Sequence, residues 1–157
     1  ASKIATKLGK TLFVKDMDFE AIIPSVASGE SDIGIAGLTV NDERLKTVDF
    51  SLGYYSSYQV ITVRESTTLF DECKNAEDVE NILKAQTSKY KIGTQNGTTG
   101  YMYSAGDSGF GYDGFKNLTT KGYTTGALAM KDLSNGKIDA VILDKQPSLM
   151  IAATLNK

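Results

Sequence analysis

The chain has 157 residues, of which 41% are hydrophobic and 23% charged, and its net charge is −2. This composition fits one compact domain or two small lobes, and the lack of a basic stripe argues against a nucleic-acid partner. With no histidine and a single cysteine, Cys73, the sequence excludes histidine-dependent catalysis, histidine-containing zinc sites and an intramolecular disulfide, and it favours a binding module over an enzyme.

The first part of the chain predicts short helices alternating with short strands. Apolar residues recur at helical spacing after Phe19, and Gly29 ends that helix, while Asn41 or Asp42 caps a shorter one. Helices are predicted at residues 1–9, 19–29 and 41–45, and strands at residues 11–15, 32–36 and 58–63.

A polar stretch, residues 64–75, is expected to separate two lobes, and the same alternation follows it. Strands are predicted at residues 91–94, 118–120 and 138–143, and helices at 78–85, from about Thr98, from Thr124 or Thr125 to Gly136, and around Pro147. The glycine-rich tract 106–114 is predicted to be a loop. Strands alternating with helices predict a mainly parallel sheet covered on both faces, and the pattern occurs twice.

Residues 28–37 and 135–144 share one frame: a glycine that ends a helix, an aspartate three residues later, an apolar strand and a turn. Any unit of helix and strand can produce this pattern. If it marks a repeat, Gly37 and Asp144 both lie at the carboxyl end of a strand, where open α/β sheets bind ligands. Two such units facing each other would form a cleft.

The run from Gly37 to Arg44 offers groups that suit a carboxylate. Gly37 lets the backbone approach a ligand, Thr39 adds a hydroxyl, and the Arg44 guanidinium matches a carboxylate with two parallel hydrogen bonds. The alternative is a surface arginine paired with Asp42 or Glu43.

Three further groups have both a binding and a structural interpretation. Thr98 and Thr99 follow a glycine turn and could bind a small zwitterion, or simply cap a helix. Asp144 could accept hydrogen bonds from an ammonium group, or cap the helix that follows it. Phe19 could line an apolar cleft wall, or belong to the core.

The order and spacing of these segments resemble the bacterial solute-binding proteins that feed polar amino acids to ABC importers, with glutamine-binding proteins especially similar across residues 16–55. The resemblance covers nearly the whole chain. The segments that carry it are Asp16–Pro24, Ser28–Gly29 with Asp32, Ala36–Thr39 with Glu43–Arg44, Val48–Ser51, Tyr54–Tyr55, Ile92–Gly93, Gly97–Gly100 and Gly136–Asp144.

The resemblance implies a type II periplasmic-binding-protein fold: two αβα lobes joined by a hinge. The expected divisions are residues 1–57 for an incomplete first lobe, 58–64 for a strand crossing the hinge, and 65–157 for the second lobe. It also implies a protein without metal, cofactor or catalytic activity that closes round its ligand and is recognised by a membrane permease.

The resemblance further implies the site. Arg44 and Thr39, with backbone amides at Thr39 and Thr99, would bind the ligand's α-carboxylate, and Asp144 and the Gly37 carbonyl its α-ammonium. Phe19 would line the side-chain pocket. Gln95 falls where the family varies its residue with the ligand, and it favours a polar amino acid, glutamine first.

Such proteins usually exceed 200 residues, so we expect a fragment lacking segments of the first lobe at both ends. Open sheet edges would then invite association or swapping between copies. The expected location is extracytoplasmic, with any signal segment outside this sequence. A sensory-receptor module, or a dehydratase of cyclic amino acids on the same fold, are the alternative functions.

Overall fold

The computed structural model describes residues 1–156, whose strands form a single four-stranded sheet. The α-helices are Ser2–Lys7 (α1), Ile22–Ala27 (α2), Asp42–Leu45 (α3), Ala76–Lys84 (α4), Thr99–Ala105 (α5), Gly126–Ser134 (α6) and Lys145–Leu155 (α7). The strands are Gln59–Val63 (β1), Lys91–Gln95 (β2), Thr119–Tyr123 (β3) and Ala140–Asp144 (β4). Short 3₁₀ helices cover Phe19–Ala21 and Ser108–Phe110.

The sheet has the strand order β1-β4-β2-β3 and is mixed. Strand β2 runs parallel to both β3 and β4, whereas β1 is antiparallel to β4 and pairs Gln59 with Asp144. The helical crossovers between the parallel strands cover the sheet, as the alternation of elements predicts.

Strand β4 is the most deeply buried strand, and its side chains alternate between two cores. Val141 and Leu143 pack with Met130 and Leu133 of α6, whereas Ala140 and Ile142 pack on the opposite face with Leu83 of α4. Because successive side chains of a strand point to opposite faces, one apolar strand serves both cores. Residues 59–155 therefore form three layers, with the sheet in the middle.

Side-chain caps fix where the helices begin. Asn41, Asn75, Thr98 and Thr125 each accept a hydrogen bond from the backbone amide three residues later. Such a cap satisfies an amide that has no partner inside the helix. The helix starts predicted at Asn41, Thr98 and Thr125 are confirmed.

The prediction of a second sheet is wrong for the described residues. Residues 11–15 and 32–36 form no strand, and no backbone hydrogen bond joins these two segments. Their apolar side chains stay exposed, with Phe13 87% and Ile33 53% accessible. A strand persists only when a neighbour pairs with its backbone groups, so β-propensity alone does not form one.

The other predicted strands are present with shifted ends. The strand predicted at 118–120 covers Thr119–Tyr123, and the one predicted at 138–143 covers Ala140–Asp144. Among residues 1–156, no helix combines the length and apolar character that crossing a bilayer requires. The division at residues 57 and 64 remains a prediction.

We expect Gly93→Ala to destabilise the sheet. A Cβ at Gly93 would lie 2.5 Å from Ile138 Cδ1 and 3.3 Å from Ala129 Cβ, and overpacking of this kind costs about 1–3 kcal/mol. Urea unfolding measures the change. Gly53→Ala is the matched control because no atom lies within 4 Å of its added Cβ. Equal stability of the two variants would contradict the described packing.

We also expect Asp132 to stabilise the fold in a pH-dependent way. Tyr123 Oη (2.8 Å), Lys137 Nζ (3.1 Å) and Lys121 Nζ (3.1 Å) surround this carboxylate and lower its pKa from 3.8 to about 2. A carboxylate with a lowered pKa stabilises the fold above its unfolded pKa and loses that effect as the pH falls towards the folded value.

The melting temperature of the wild type should therefore exceed that of Asp132→Asn at about pH 6, and the difference should shrink towards about pH 2.5. Asp71→Asn serves as the control because the exposed Asp71 side chain has no ion-pair partner among residues 1–156. A difference that is the same at both pH values would exclude this role of Asp132.

Candidate functional site

Seven of the eight residues predicted for the site line one cavity of about 140 Å³. Four separate segments of the chain meet there, and the predicted residues among its walls are Phe19, Gly37, Thr39, Gln95, Thr98, Thr99 and Asp144. Ala36, Leu143 and Pro147 complete the described lining. The cavity combines one carboxylate, one carboxamide and three hydroxyls with an aromatic ring, which suits a small polar ligand.

Gly37 and Thr39 form one wall. Gly37 has a φ of +64°, a conformation that side-chain-bearing residues rarely adopt, so the turn after residue 36 depends on glycine here. The Thr99 hydroxyl donates a hydrogen bond of 3.1 Å to the Thr39 hydroxyl across 60 residues of sequence. This bond joins two of the segments that meet at the cavity.

The opposite wall is the turn between β2 and α5. The Thr98 hydroxyl donates to the Gln95 carbonyl at 2.7 Å and accepts from the Tyr101 amide at 3.3 Å, so the cap interpretation of Thr98 is realised. The Gln95 side-chain amide donates to the Thr124 carbonyl at 3.3 Å. Among residues 1–156, the Gln95 carboxamide oxygen has no donor, so it is available to a ligand.

Asp144 ends β4 and is the only ionisable residue in the described lining of this cavity. It precedes α7 but makes no side-chain capping bond, so the cap interpretation of Asp144 is wrong. Instead, its Oδ1 accepts a hydrogen bond from Nε2 of Gln59, the residue directly opposite on β1. The side chain is thereby held at the strand end with one carboxylate oxygen still free of this bond.

Arg44 is the predicted residue that does not line the cavity. It is only 8% exposed, and its guanidinium donates to the Thr39 carbonyl at 2.6 Å and to the Gly97 carbonyl at 2.9 Å. The alternative of a surface arginine paired with Asp42 or Glu43 is therefore wrong, and Glu43 pairs with Lys46 instead.

The Arg44 guanidinium retains capacity for a further partner. Burial lowers its pKa, and the negative charge of Asp107 opposes that shift. Of the five N–H groups of a guanidinium, the two bonds to carbonyls use two. The remaining three make no hydrogen bond within residues 1–156, and binding of a carboxylate by Arg44 remains a prediction.

A second and larger cavity, of about 470 Å³, adjoins the first. The two share Gly37, Thr39, Thr99 and Asp144, and the segment from Phe50 to Gln59 forms most of the other wall. Asp144 therefore faces both spaces. Within residues 1–156, no group of three cysteine or acidic residues is placed to hold a metal ion.

Two residues near the site were not anticipated from the sequence. Gln59 positions the Asp144 carboxylate, and the local sequence gives no sign of this contact because 85 positions separate the two residues. Phe110 lies with its ring 5.4 Å from the Arg44 guanidinium carbon. It belongs to the glycine-rich loop, and its sequence gives no sign of that contact because 66 positions along the chain separate the two residues.

Comparison with known proteins identifies the family to which this chain is related. The family model for bacterial extracellular solute-binding proteins, family 3, matches residues 1–146. ABC transporter arginine-binding protein 1 of Escherichia coli is 31% identical over 126 residues, which are 80% of this chain and 44% of that protein. Where the match extends along most of this chain, the chain spans about half the length of the curated relative.

Solved structures of amino-acid-binding proteins resemble this chain as well. A mutant of ArgBP from T. maritima is 30% identical with a TM-score of 0.78, and the match covers 98% of this chain and 59% of that one. An ancestral arginine-binding protein was solved with glutamine bound; it is 34% identical with a TM-score of 0.73, over 96% of this chain and 59% of the other.

These relatives are binding proteins and not enzymes, as predicted for this chain. The fold is that of type II periplasmic binding proteins, of which the chain carries one mixed sheet. The chain belongs to the bacterial extracellular solute-binding proteins of family 3.

Proposed function

We propose that this protein binds a polar L-amino acid in the 140 Å³ cavity and delivers it to an ABC importer outside the cytoplasm. The observation that carries the proposal is the convergence on that cavity of seven residues predicted from the sequence, with Arg44 directly behind its wall. An amino acid presents a carboxylate, an ammonium group and a side chain, and the cavity together with Arg44 behind its wall offers a group for each.

Asp144 is the group for the ammonium. Its carboxylate is the only charge in the described lining, and Gln59 holds it at the strand end. A charge-assisted hydrogen bond from an ammonium to a carboxylate is stronger than one between neutral groups. The Gly37 carbonyl, exposed at a turn without a side chain, is the second acceptor.

Arg44 is the group for the carboxylate, together with the Thr39 hydroxyl. The guanidinium is buried and already oriented by two carbonyls, so little side-chain entropy is lost when a ligand binds. Reaching the carboxylate requires a small displacement of the Thr39 wall. Such a displacement fits a site that closes round its ligand.

Phe19 and Gln95 are the groups for the ligand's side chain. The Phe19 ring packs against its aliphatic part, and the Gln95 carboxamide pairs with a polar end. Arginine is the first candidate because several relatives are named for arginine, and glutamine, favoured by the sequence, is the second. The carboxamide oxygen of Gln95 can accept from a guanidinium or from a primary amide.

Delivery of the ligand to the importer depends on closure of the site round the ligand. A ligand that contacts both walls favours the closed arrangement by its differential affinity for that arrangement, and the permease then recognises the closed form. Relatives are named as periplasmic or extracellular proteins, which supports an extracytoplasmic location.

The test is calorimetric titration of the protein, expressed from its complete gene, against the twenty amino acids. We expect arginine to bind most tightly, with glutamine, lysine and histidine weaker. The same panel against Asp144→Asn should show a general loss, because the ammonium contact is common to all amino acids. Absence of binding to every amino acid would refute the proposed function.

We further expect Arg44→Lys to weaken arginine binding by roughly 10- to 100-fold, because lysine lacks the planar fork that matches a carboxylate. L-Argininamide has no carboxylate, so its weaker binding should change little in the variant. Lys46→Gln removes a positive charge two residues away, on a side chain that pairs with Glu43, and should leave affinity unchanged. Equal losses for arginine and its amide would exclude the assigned role of Arg44.

A further inference from the structure

The loop between α5 and β3, residues 106–114, contacts the helix that carries Arg44. A Cβ at Gly109 would lie 2.6 Å from Cγ of Glu43, so the Glu43 side chain would have to shift to admit a larger residue there. The next residue, Phe110, places its ring 5.4 Å from the guanidinium carbon of Arg44. The loop therefore forms a third side of the environment of Arg44, beside the carbonyls of Thr39 and Gly97.

Hydrogen bonds within the loop hold Phe110 in place. Asp107 and Tyr112 exchange two backbone hydrogen bonds of 2.8 and 2.9 Å, and the Asp107 carboxylate accepts from the Phe110 amide at 3.1 Å. Because its backbone is fixed at both ends of this short turn, Phe110 has few alternative positions.

A chain of aromatic contacts connects Phe110 to the core. Its ring stacks on Tyr112 with centroids 6.0 Å apart, and Tyr112 meets Tyr103 edge-to-face at 5.4 Å. Tyr103 in turn packs against the buried Phe115 at 5.5 Å. Aromatic pairs prefer these stacked and edge-to-face geometries. The contacts therefore restrict the position of the Phe110 ring beside Arg44.

Phe110 also suits a guanidinium in particular. A ring face attracts a cation within about 6 Å of its centroid, and arginine is the commonest cation in such contacts. The negative charge of Asp107, three residues earlier, favours the charged form of Arg44 as well. The contact with the ring uses none of the guanidinium N–H groups as a conventional hydrogen-bond donor, so those not bonded to Thr39 and Gly97 stay available.

We propose that Phe110 is a positioning residue for ligand binding: its ring face holds the Arg44 guanidinium in place so that the free N–H groups meet the ligand's carboxylate. This inference rests on the proposed function of Arg44 and adds the loop 106–114 to the binding machinery. Phe110 itself lines neither of the two cavities.

The test compares variants at Phe110 that keep or remove the aromatic face. Phe110→Tyr and Phe110→Trp retain a ring and should bind arginine like the wild type. Phe110→Leu retains apolar volume without a ring face and should bind arginine about three- to tenfold more weakly. L-Argininamide should bind Phe110→Leu and wild type equally, and Phe110→Leu should have no further effect in an Arg44→Lys background.

The inference would be overturned if Phe110→Leu bound arginine as tightly as the wild type does. It would also be overturned if Phe110→Tyr and Phe110→Leu lost affinity for arginine equally. A loss of equal size for arginine and its amide would also overturn it, since that result indicates only a packing role.

A second measurement needs no ligand. In the unliganded protein, the Nε–H resonance of Arg44, assigned by comparison with Arg44→Lys, should carry a ring-current shift that disappears in Phe110→Leu. If that shift is observed while no amino acid binds the wild type, the proposed function fails and the Arg44–Phe110 contact stands. If the resonance is the same in wild type and Phe110→Leu, the positioning inference itself is refuted.

Discussion

Burial of strand β4 on both faces and at both edges is the constraint on which the rest of the structure depends. It pairs with β1 and β2, and its alternating side chains supply two cores. In a strand buried in this way, polar side chains are placed at the ends. Asp144 lies at the carboxyl end, and its carboxylate is placed at the cavity because the preceding four residues are fixed by packing.

The second constraint is the burial of Arg44. A guanidinium removed from water is costly unless its donors are satisfied, and here backbone carbonyls at Thr39 and Gly97 satisfy two of them. These acceptors belong to segments 58 residues apart, so the arginine ties together the two walls of the site. The same side chain that is proposed to bind the ligand also organises the binding surface.

The residues of the site therefore differ in the kind of structure that carries them. Gln95 and Asp144 are the last residues of the two central strands, β2 and β4, and the threonines at 98 and 99 follow β2. Phe19, Gly37 and Thr39 lie on segments without strand structure, where apolar residues such as Phe13 and Ile33 remain exposed. Closure of the site round a ligand is accordingly expected to involve the second group of residues more than the first.

The local features of the chain were readable from the sequence. Helix caps at Asn41, Thr98 and Thr125 are short-range hydrogen bonds between a side chain and an amide three residues later, so they depend on nearby residues alone. The β-branched segment of β1 and the apolar segment of β4 indicate a strand by their own composition. The resemblance to amino-acid-binding proteins, which rests on order and spacing, agrees with the family match.

Contacts between segments far apart in the chain could not be predicted from the sequence in the same way. The strands expected at 11–15 and 32–36 have the composition of strands, but a strand forms only when another segment pairs with it. Similarly, nothing local indicated that Gln59 would hold Asp144 or that Phe110 would cover Arg44. The sequence by itself determined the residue types of the site and the helices and strands that carry most of them. Only the tertiary structure decided that seven of these residues share one cavity and that Arg44 is turned to backbone carbonyls, because both depend on contacts between segments far apart in the chain.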